Sequence, residues 1–287
     1  MNGFLIMIVS AFLYSLKTII TKHNLKVISS NSMIFITTVI SSIILFPFVL
    51  FYGFPEFSFK LLFFIIINGV IFYFAKYFAF RALQKEDISI IAPLTGVVTL
   101  MVMITSFFIL SESPTLFGFF GILLVVIGVY LLNTQKYHTK LLDPIKHLFT
   151  NEGTKLYMIA TLFYGFVVVL DKMGVLLSSP LFWTFIISVV MAVVSSFKFK
   201  KNFKKEKKFI ISSYKPLSLI IVLYILVHLS QMYAITLILA SYVSALKTLN
   251  VLFTICIGGL FFKEKNLFRK FLIGCVIIVG VMMIMLF

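Results

Sequence analysis

Two stretches of this chain are variants of one passage. Residues 76–133 begin KYFAFRALQKED, and residues 228–285 begin HLSQMYAITLIL. Displacing the first by 152 positions sets Ala82 on Ala234, Glu112 on Glu264, Gly128 on Gly280 and Val129 on Val281. Upstream the displacement is 150: Phe12-Leu13-Tyr14-Ser15 falls on Leu162-Phe163-Tyr164-Gly165, and Lys22 falls on Lys172. The chain therefore reads as a tandem duplication, with units at residues 1–133 and 155–287 joined by a basic linker at 134–154.

The repeated unit is too apolar for a water-soluble core. Hydrophobic residues are 61% of the 287 and charged residues 12%, more apolar surface than a soluble domain of this size can bury. A bilayer needs about 20 apolar residues per helical crossing. Runs of that kind occur at 3–21, 31–52, 61–80, 88–110, 115–133, 155–176, 180–197, 216–239, 241–262 and 268–287. The runs are continuous rather than alternating, so they predict helices and not a barrel. The expected fold is an all-α integral membrane protein of ten transmembrane helices. Five crossings per unit, an odd number, would place the second unit upside down relative to the first. Inverted repeats of this kind build secondary transporters, with the site at the repeat interface.

A net charge of +16 suggests nucleic acid until its distribution is traced. With alternating crossings, one side receives Lys22, Lys26, Arg81, Lys85, Lys136, Lys140, Lys146, Lys155, the lysines from Lys198 to Lys215, and Lys263, Lys265, Arg269 and Lys270. The other side receives Lys60 and Lys172. That asymmetry is the positive-inside pattern. It predicts a multi-pass protein of the cell membrane with both termini outside and the 198–215 loop in the cytoplasm, near anionic headgroups. The first segment has no basic residue before Lys17 and does not read as a cleaved signal peptide. Asp143-Pro144 marks a turn in the linker.

Several local patterns carry a family resemblance. Ala11-Phe12-Leu13-Tyr14-Ser15 is matched by Thr161-Leu162-Phe163-Tyr164-Gly165. Ala92-Pro93 opens the fourth segment. Glu112 precedes a Gly-rich fifth segment, and Glu264 precedes the tenth. With the five-plus-five arrangement, these resemble the EamA-like branch of the drug/metabolite transporter superfamily, over nearly the whole chain. The resemblance implies transport of small compounds, for which family members span amino acids, nucleotide sugars, sugar phosphates and drugs. It also implies structural helix-end roles for Glu112 and Glu264. Two departures stand out. Pro93 has no counterpart in the ninth segment, where Ala245-Leu246-Lys247 occurs. The family pattern also implies cytoplasmic termini for many members, the reverse of the charge pattern.

Polar groups inside the spans mark the candidate site. A cation in hydrocarbon is costly unless it snorkels, pairs or faces water. Lys17, Lys76 and Lys247 fall inside predicted spans; Lys17 lies near enough to its span end to snorkel. Ser244, Lys247, Asn250 and Thr254 recur at helical spacing as one polar stripe. Lys76 and His228 occupy equivalent positions in the two units. Around them, Tyr73, Lys76, Tyr77 and Phe80 share one face, and Tyr224, His228 and Gln231 another. Tyr14 and Tyr164 pair across the repeat and could stack on a substrate or simply pack. The expected substrate-binding set is Lys247, His228, Lys76, Tyr77, Tyr73, Gln231, Asn250, Tyr14 and Tyr164. A lone membrane histidine is also commonly a packing residue, which is the competing reading of His228. Asp171 and Lys172 lie near a span end, where pairing or solvation is expected.

No catalytic or metal signature accompanies these residues. There is no paired-carboxylate site in a span, no Cys/His cluster and no phosphate-cradling glycine loop. Cys256 and Cys275 have no ligand spacing, and neither do His138 and His147. The sequence thus points away from an enzyme and requires no cofactor. It predicts a secondary transporter of a small metabolite, anionic or zwitterionic because the interior is rich in cations and poor in acids. The alternatives are an exporter of hydrophobic or cationic compounds and a flippase of lipid-linked phosphates. Expected partners are the substrate and membrane lipids, not nucleic acid. Proton coupling through His228 and a homodimer are left open.

Overall fold

The computed structural model describes residues 2–86, 91, 94–134, 151–262 and 267–286. Every regular element among them is helical. In chain order the first helices are α1 (Asn2–Asn24), α2 (Ser30–Tyr52), α3 (Phe59–Lys85), α4 (Leu94–Leu110) and α5 (Leu116–Thr134). They are followed by α6 (Glu152–Leu176), α7 (Pro180–Ser212), α8 (Tyr214–Ile235), α9 (Ala240–Lys247), α10 (Leu249–Phe262) and α11 (Leu267–Leu286). Six are long and apolar enough to cross a membrane: α1, α2, α3, α6, α8 and the Pro180–Phe199 part of α7. Leu94–Leu110, Leu116–Leu131 and Ile273–Leu286 are shorter apolar helices. The protein is a multi-pass membrane protein. Ala92, Pro93, Glu264, Lys263, Lys265 and linker residues 135–150, with His138 and His147, lie outside the described residues.

Burial follows the logic of a lipid solvent. Phe51, Phe59, Phe108 and Phe197 are 75–85% exposed on the outer surface. Serine, threonine and asparagine line the inside, where Thr38, Asn68, Ser188 and Ser195 are fully buried. Many of the hydroxyls return to the helix they sit on: Thr38 donates to the Ile34 carbonyl (2.8 Å) and Ser195 to the Met191 carbonyl (2.7 Å). Such bonds satisfy a hydroxyl within its own helix, without water.

Helix starts and ends are set by polar side chains. Ser29, Ser58 and Ser179 cap α2, α3 and α7 by accepting from the backbone N–H of Ser32, Leu61 and Phe182. At the C-terminal ends, lysines take the unpaired carbonyls. Lys22 donates to the carbonyls of Leu83, in the last turn of α3, and of Glu86, just after it. Lys172 donates to the carbonyl of Ile238 after α8 (2.9 Å) and pairs with Glu112 (2.5 Å). Glu112 in turn accepts from the backbone N–H of Ala240, the first residue of α9 (2.9 Å). The structural role expected for Glu112 is therefore concrete: it joins the end of α8 to the start of α9.

The largest packing faces are α3 on α6, α5 on α11, α2 on α7, α1 on α8 and α4 on α6. α1 also packs on α9 and α10. At the α5–α11 crossing, Gly121 and Gly280 face one another, and a Cβ on either would collide with the other's carbonyl oxygen. Small residues are what allow helix backbones to approach this closely in a membrane.

Two expectations about helix limits are corrected. The segment predicted to end at 197, with a loop from 198 to 215, instead continues as helix through Ser212. Lysine, phenylalanine and glutamate all propagate a helix, and no glycine or proline intervenes before Pro216. The ninth segment, 241–262, is not one helix. It breaks at Thr248 into α9 and α10. The Thr248 N–H is shared between the Ser244 and Ala245 carbonyls, its hydroxyl bonds Ala245 (2.6 Å), and Val251 bonds back to Thr248 (3.0 Å). These three-residue contacts tighten the turn and interrupt the regular ladder.

Candidate functional site

The candidate site is built where α1, α3, α8 and the α9–α10 break come together. Phe72 and Lys76 are one turn apart on α3, and Tyr224 and His228 are one turn apart on α8. The two pairs interlock. The Lys76 ammonium stands 3.8 Å from the Tyr224 ring centroid and 5.4 Å from that of Phe72. The His228 imidazole stacks on Phe72, with centroids 5.6 Å apart and planes at 29°. Each titratable group thus sits on the ring contributed by the other helix. At the displacement of 152, Phe72 corresponds to Tyr224 as Lys76 corresponds to His228.

Lys17 and Lys247 extend this cluster. Lys17 lies 4.3 Å from the Tyr14 centroid and 5.8 Å from that of Tyr224. Lys247 approaches the Tyr14 ring to 5.0 Å. Three ammonium groups therefore share the faces of Tyr14, Phe72 and Tyr224, which attract cations through their negative quadrupole. The groups are near enough to repel one another. None has a carboxylate within 4.0 Å among the described residues; the lysine–carboxylate pairs there are Lys85–Glu152 and Lys172–Glu112. Lys76 and His228 are buried, whereas Lys17, Lys247, Tyr14 and Tyr164 are half-buried.

The helix break serves Lys247. Its carbonyl accepts from the Asn250 side chain at 2.6 Å, so a backbone group freed by the break stays satisfied. Thr254 then bonds the Asn250 carbonyl (2.7 Å), and Ser244 reaches Thr99 of α4 (3.2 Å). The polar stripe of the ninth segment is largely a device that builds and anchors this interruption. Asn250 holds the backbone at Lys247 rather than extending the ring cluster.

Other predicted residues divide between this cluster and its surroundings. Tyr164 meets Phe72 edge-on at 6.2 Å and belongs to the cluster's wall. Gln231 is buried on α8 with its amide nitrogen unpartnered, as is His228 Nε2; His228 Nδ1 faces the Thr184 hydroxyl at 3.4 Å. Tyr73 and Tyr77 sit in a separate network. Tyr73 donates to Asn31 (2.8 Å), Asn31 donates to the Ser195 carbonyl (2.8 Å), and Tyr77 stacks on Tyr73 beneath Lys198.

Asp171 is a residue whose place sequence reasoning missed. It is buried and does not pair with Lys172. One carboxylate oxygen accepts from Asn68 (2.7 Å) and from the indole N–H of Trp183 (2.8 Å). Gly174 leaves room for that indole, since a Cβ there would strike the ring. A carboxylate one turn inside an apolar helix was the available signal, masked by the adjacent lysine.

Among the described residues no group of three or more His, Cys, Asp or Glu side chains could hold a metal ion. Cys275 is a free, half-buried thiol. The candidate site is a cluster of aromatic rings and lysine ammonium groups inside a helical bundle.

The comparisons give the class of protein. The model of the EamA-like transporter family matches residues 1–134 and 152–286. The chain belongs to the EamA-like transporter family. A protein of known crystal structure superposes with a TM-score of 0.70 at 12% identity, over 98% of this chain and 96% of its own. That likeness shows the fold. No curated protein matches.

Proposed function

We propose that this protein is a secondary transporter that moves a small organic anion or zwitterion by alternating access. The observation that carries the proposal is the convergence of Lys17, Lys76 and Lys247 on the rings of Tyr14, Phe72 and Tyr224, with no carboxylate within 4.0 Å among the described residues. Buried cations persist when they are compensated, and the rings compensate only weakly. A substrate carboxylate or phosphate completes the site. Lys247 and Lys76 bind it as point charges, with Tyr14 and Tyr164 at its flanks. Gln231 and His228, each with an unpartnered nitrogen, offer it further hydrogen bonds.

The proposed architecture is ten crossings in two inverted five-helix repeats, residues 1–133 and 155–287. Three relationships support it. Ser29 and Ser179 cap helices at positions 150 apart, and Lys22 and Lys172, also 150 apart, take the carbonyls of Glu86 and Ile238, 152 apart. The packing of α1 on α8 and of α6 on α3 exchange under the same displacement, and α2 on α7 maps onto itself. The interlocked Phe72–Lys76 and Tyr224–His228 pairs are the third. The proposed setting is the cell membrane with both termini outside. Transport, rather than catalysis, is the activity that family membership supports.

A second reading, export of a cation, is favoured by one observation, the buried carboxylate of Asp171. That carboxylate already has partners of its own in Asn68 and Trp183. A thermal-shift panel on purified protein separates the two, because ligand binding raises the melting temperature by mass action. Stabilisation by anions and not by organic cations supports the first reading; the reverse pattern overturns it.

A further inference from the structure

We infer that Asp171, paired with Asn68, is a proton-carrying site, its carboxyl alternating between ionised and protonated forms with the amide as its fixed partner. This deepens the transport reading and rests on it, though not on the charge of the substrate. The bonding around Asp171 carries the inference. The carboxyl residue is 4% exposed and Asn68 0%. Asn68 Nδ2 (2.7 Å) and Trp183 Nε1 (2.8 Å) donate to the same carboxyl oxygen, Oδ1. No ammonium lies within 4.0 Å of the carboxyl among the described residues. The amide oxygen of Asn68 is buried without a donor. A buried acceptor left without a hydrogen is costly, and here a carboxyl lies beside it. An amide and a carboxylic acid are complementary: the amide N–H donates to one carboxyl oxygen, and the acid O–H can donate to the amide oxygen. Asn68 already makes the first half of that pair. A proton taken from water onto Asp171 Oδ2 supplies the second half, and its return to water restores the carboxylate.

The pair borders the ring cluster. Asn68 is one turn from Phe72 on α3. Trp183 is followed by Thr184, whose hydroxyl faces His228 Nδ1 at 3.4 Å, and His228 stacks on Phe72. A change of charge at Asp171 is thus made one layer from the proposed substrate groups, where a coupling proton can act on them. Intramembrane carboxyls are the usual members of such relays. On the helices packed against α6, the other ionisable groups of this region are Lys76 on α3, Tyr224 and His228 on α8, and Lys247 on α9. α4 and residues 180–197 of α7 have none. On α6 itself, Lys172 is taken up by Glu112, and Tyr164 lies against Phe72. His228 is the rival carrier. Protonating it adds charge beside the Lys76 amine on the Phe72 ring, whereas protonating Asp171 removes charge.

Trp183, the single tryptophan of the chain, reports on the proton through its bond to Asp171. The experiment titrates purified full-length protein in potassium buffers from about pH 4 to about pH 9, the span over which buried carboxyls ionise. Two signals are read: the emission of Trp183, and the infrared carbonyl band of a protonated carboxyl, taken as the difference between wild type and Asp171→Asn. The band should be present in acid and lost in alkali, with one emission transition at the same midpoint. Asp171→Asn keeps an acceptor for both donors and should hold the emission constant across the range. His228→Gln should keep both transitions. Asn68→Leu should move the band to higher frequency, as for an acid that has lost its hydrogen bonds. Absence of an Asp171-dependent band, or a band unchanged over the whole range, overturns the inference. A transition that survives Asp171→Asn and vanishes in His228→Gln assigns the proton to His228 and overturns it too. Loss of the band when sodium replaces potassium at fixed pH would assign the position to a metal cation instead. An unmoved band in Asn68→Leu breaks the pairing. No substrate enters these measurements, so the thermal-shift panel tests the transport reading separately and the two can fail independently.

Discussion

The ammonium of Lys76 rests 3.8 Å from the ring centroid of Tyr224, on a helix from the other half of the chain. Tyr224 also meets the hydroxyl of Ser188 at 3.3 Å, so the ring is fixed from α7 while it holds the cation. A cation on a desolvated aromatic face contributes about 2 kcal/mol. A double-mutant cycle of Lys76→Met with Tyr224→Leu should therefore return a coupling of about 1–2 kcal/mol in denaturation of the purified protein. Tyr224→Phe keeps the ring and should lose only the Ser188 contact. A coupling near zero would detach Lys76 from that ring.

The Glu112–Lys172 pair gives a prediction about stability. Both side chains are mostly buried, at 14% and 12% exposure. Lys172→Met leaves an unpaired carboxylate and an unpaired Ile238 carbonyl, and should cost about 3–5 kcal/mol. Adding Glu112→Gln should recover part of this, because the neutral amide oxygen can still accept from the Ala240 N–H. Thermal unfolding in detergent measures both steps. An additive loss in the double variant would contradict the pairing.

Much of this arrangement was legible before any coordinates. The displacement of 152 exposed the equivalence of Lys76 and His228, because identical spacing survives divergence of the side chains. It did not disclose that each group would sit on the other's neighbouring ring, since that depends on how α3 and α8 are oriented in space. Lys17 read equally as a site residue or a snorkelling one, because distance to a span end says nothing about an aromatic partner on another helix. Asp171 looked like a partner for Lys172. Adjacent residues on a helix point about a quarter-turn or more apart, and each went to a different network. Asn250 was legible as part of a polar stripe that did not include Thr248, and the bonds both make to the backbone at the helix break arise from local geometry that periodicity does not encode.

Asp171 yields a third prediction. Asp171→Asn retains an oxygen that can accept from Asn68 and Trp183, and should be tolerated. Asp171→Leu strands two buried donors at about 1–3 kcal/mol each. It should also shift the emission of Trp183, whose indole loses its acceptor. An unchanged emission spectrum in the leucine variant would contradict the bond.

Orientation is tested at Ser212, the exposed last residue of α7. In a background with Cys256 and Cys275 replaced, Ser212→Cys should resist a membrane-impermeant thiol reagent in intact cells and react after permeabilisation. Labelling from outside would reverse the proposed topology.

Lys247 carries the central claim. Once a probe anion is identified, its uptake and equilibrium binding should be compared between wild type and Lys247→Ala in proteoliposomes. Loss of a charge-assisted contact worth about 1.5–3 kcal/mol predicts affinity ten- to a hundredfold weaker, with partial recovery in Lys247→Arg. Full uptake at unchanged affinity in Lys247→Ala would contradict the account, because the lysine at the helix break would then have no part in holding the substrate.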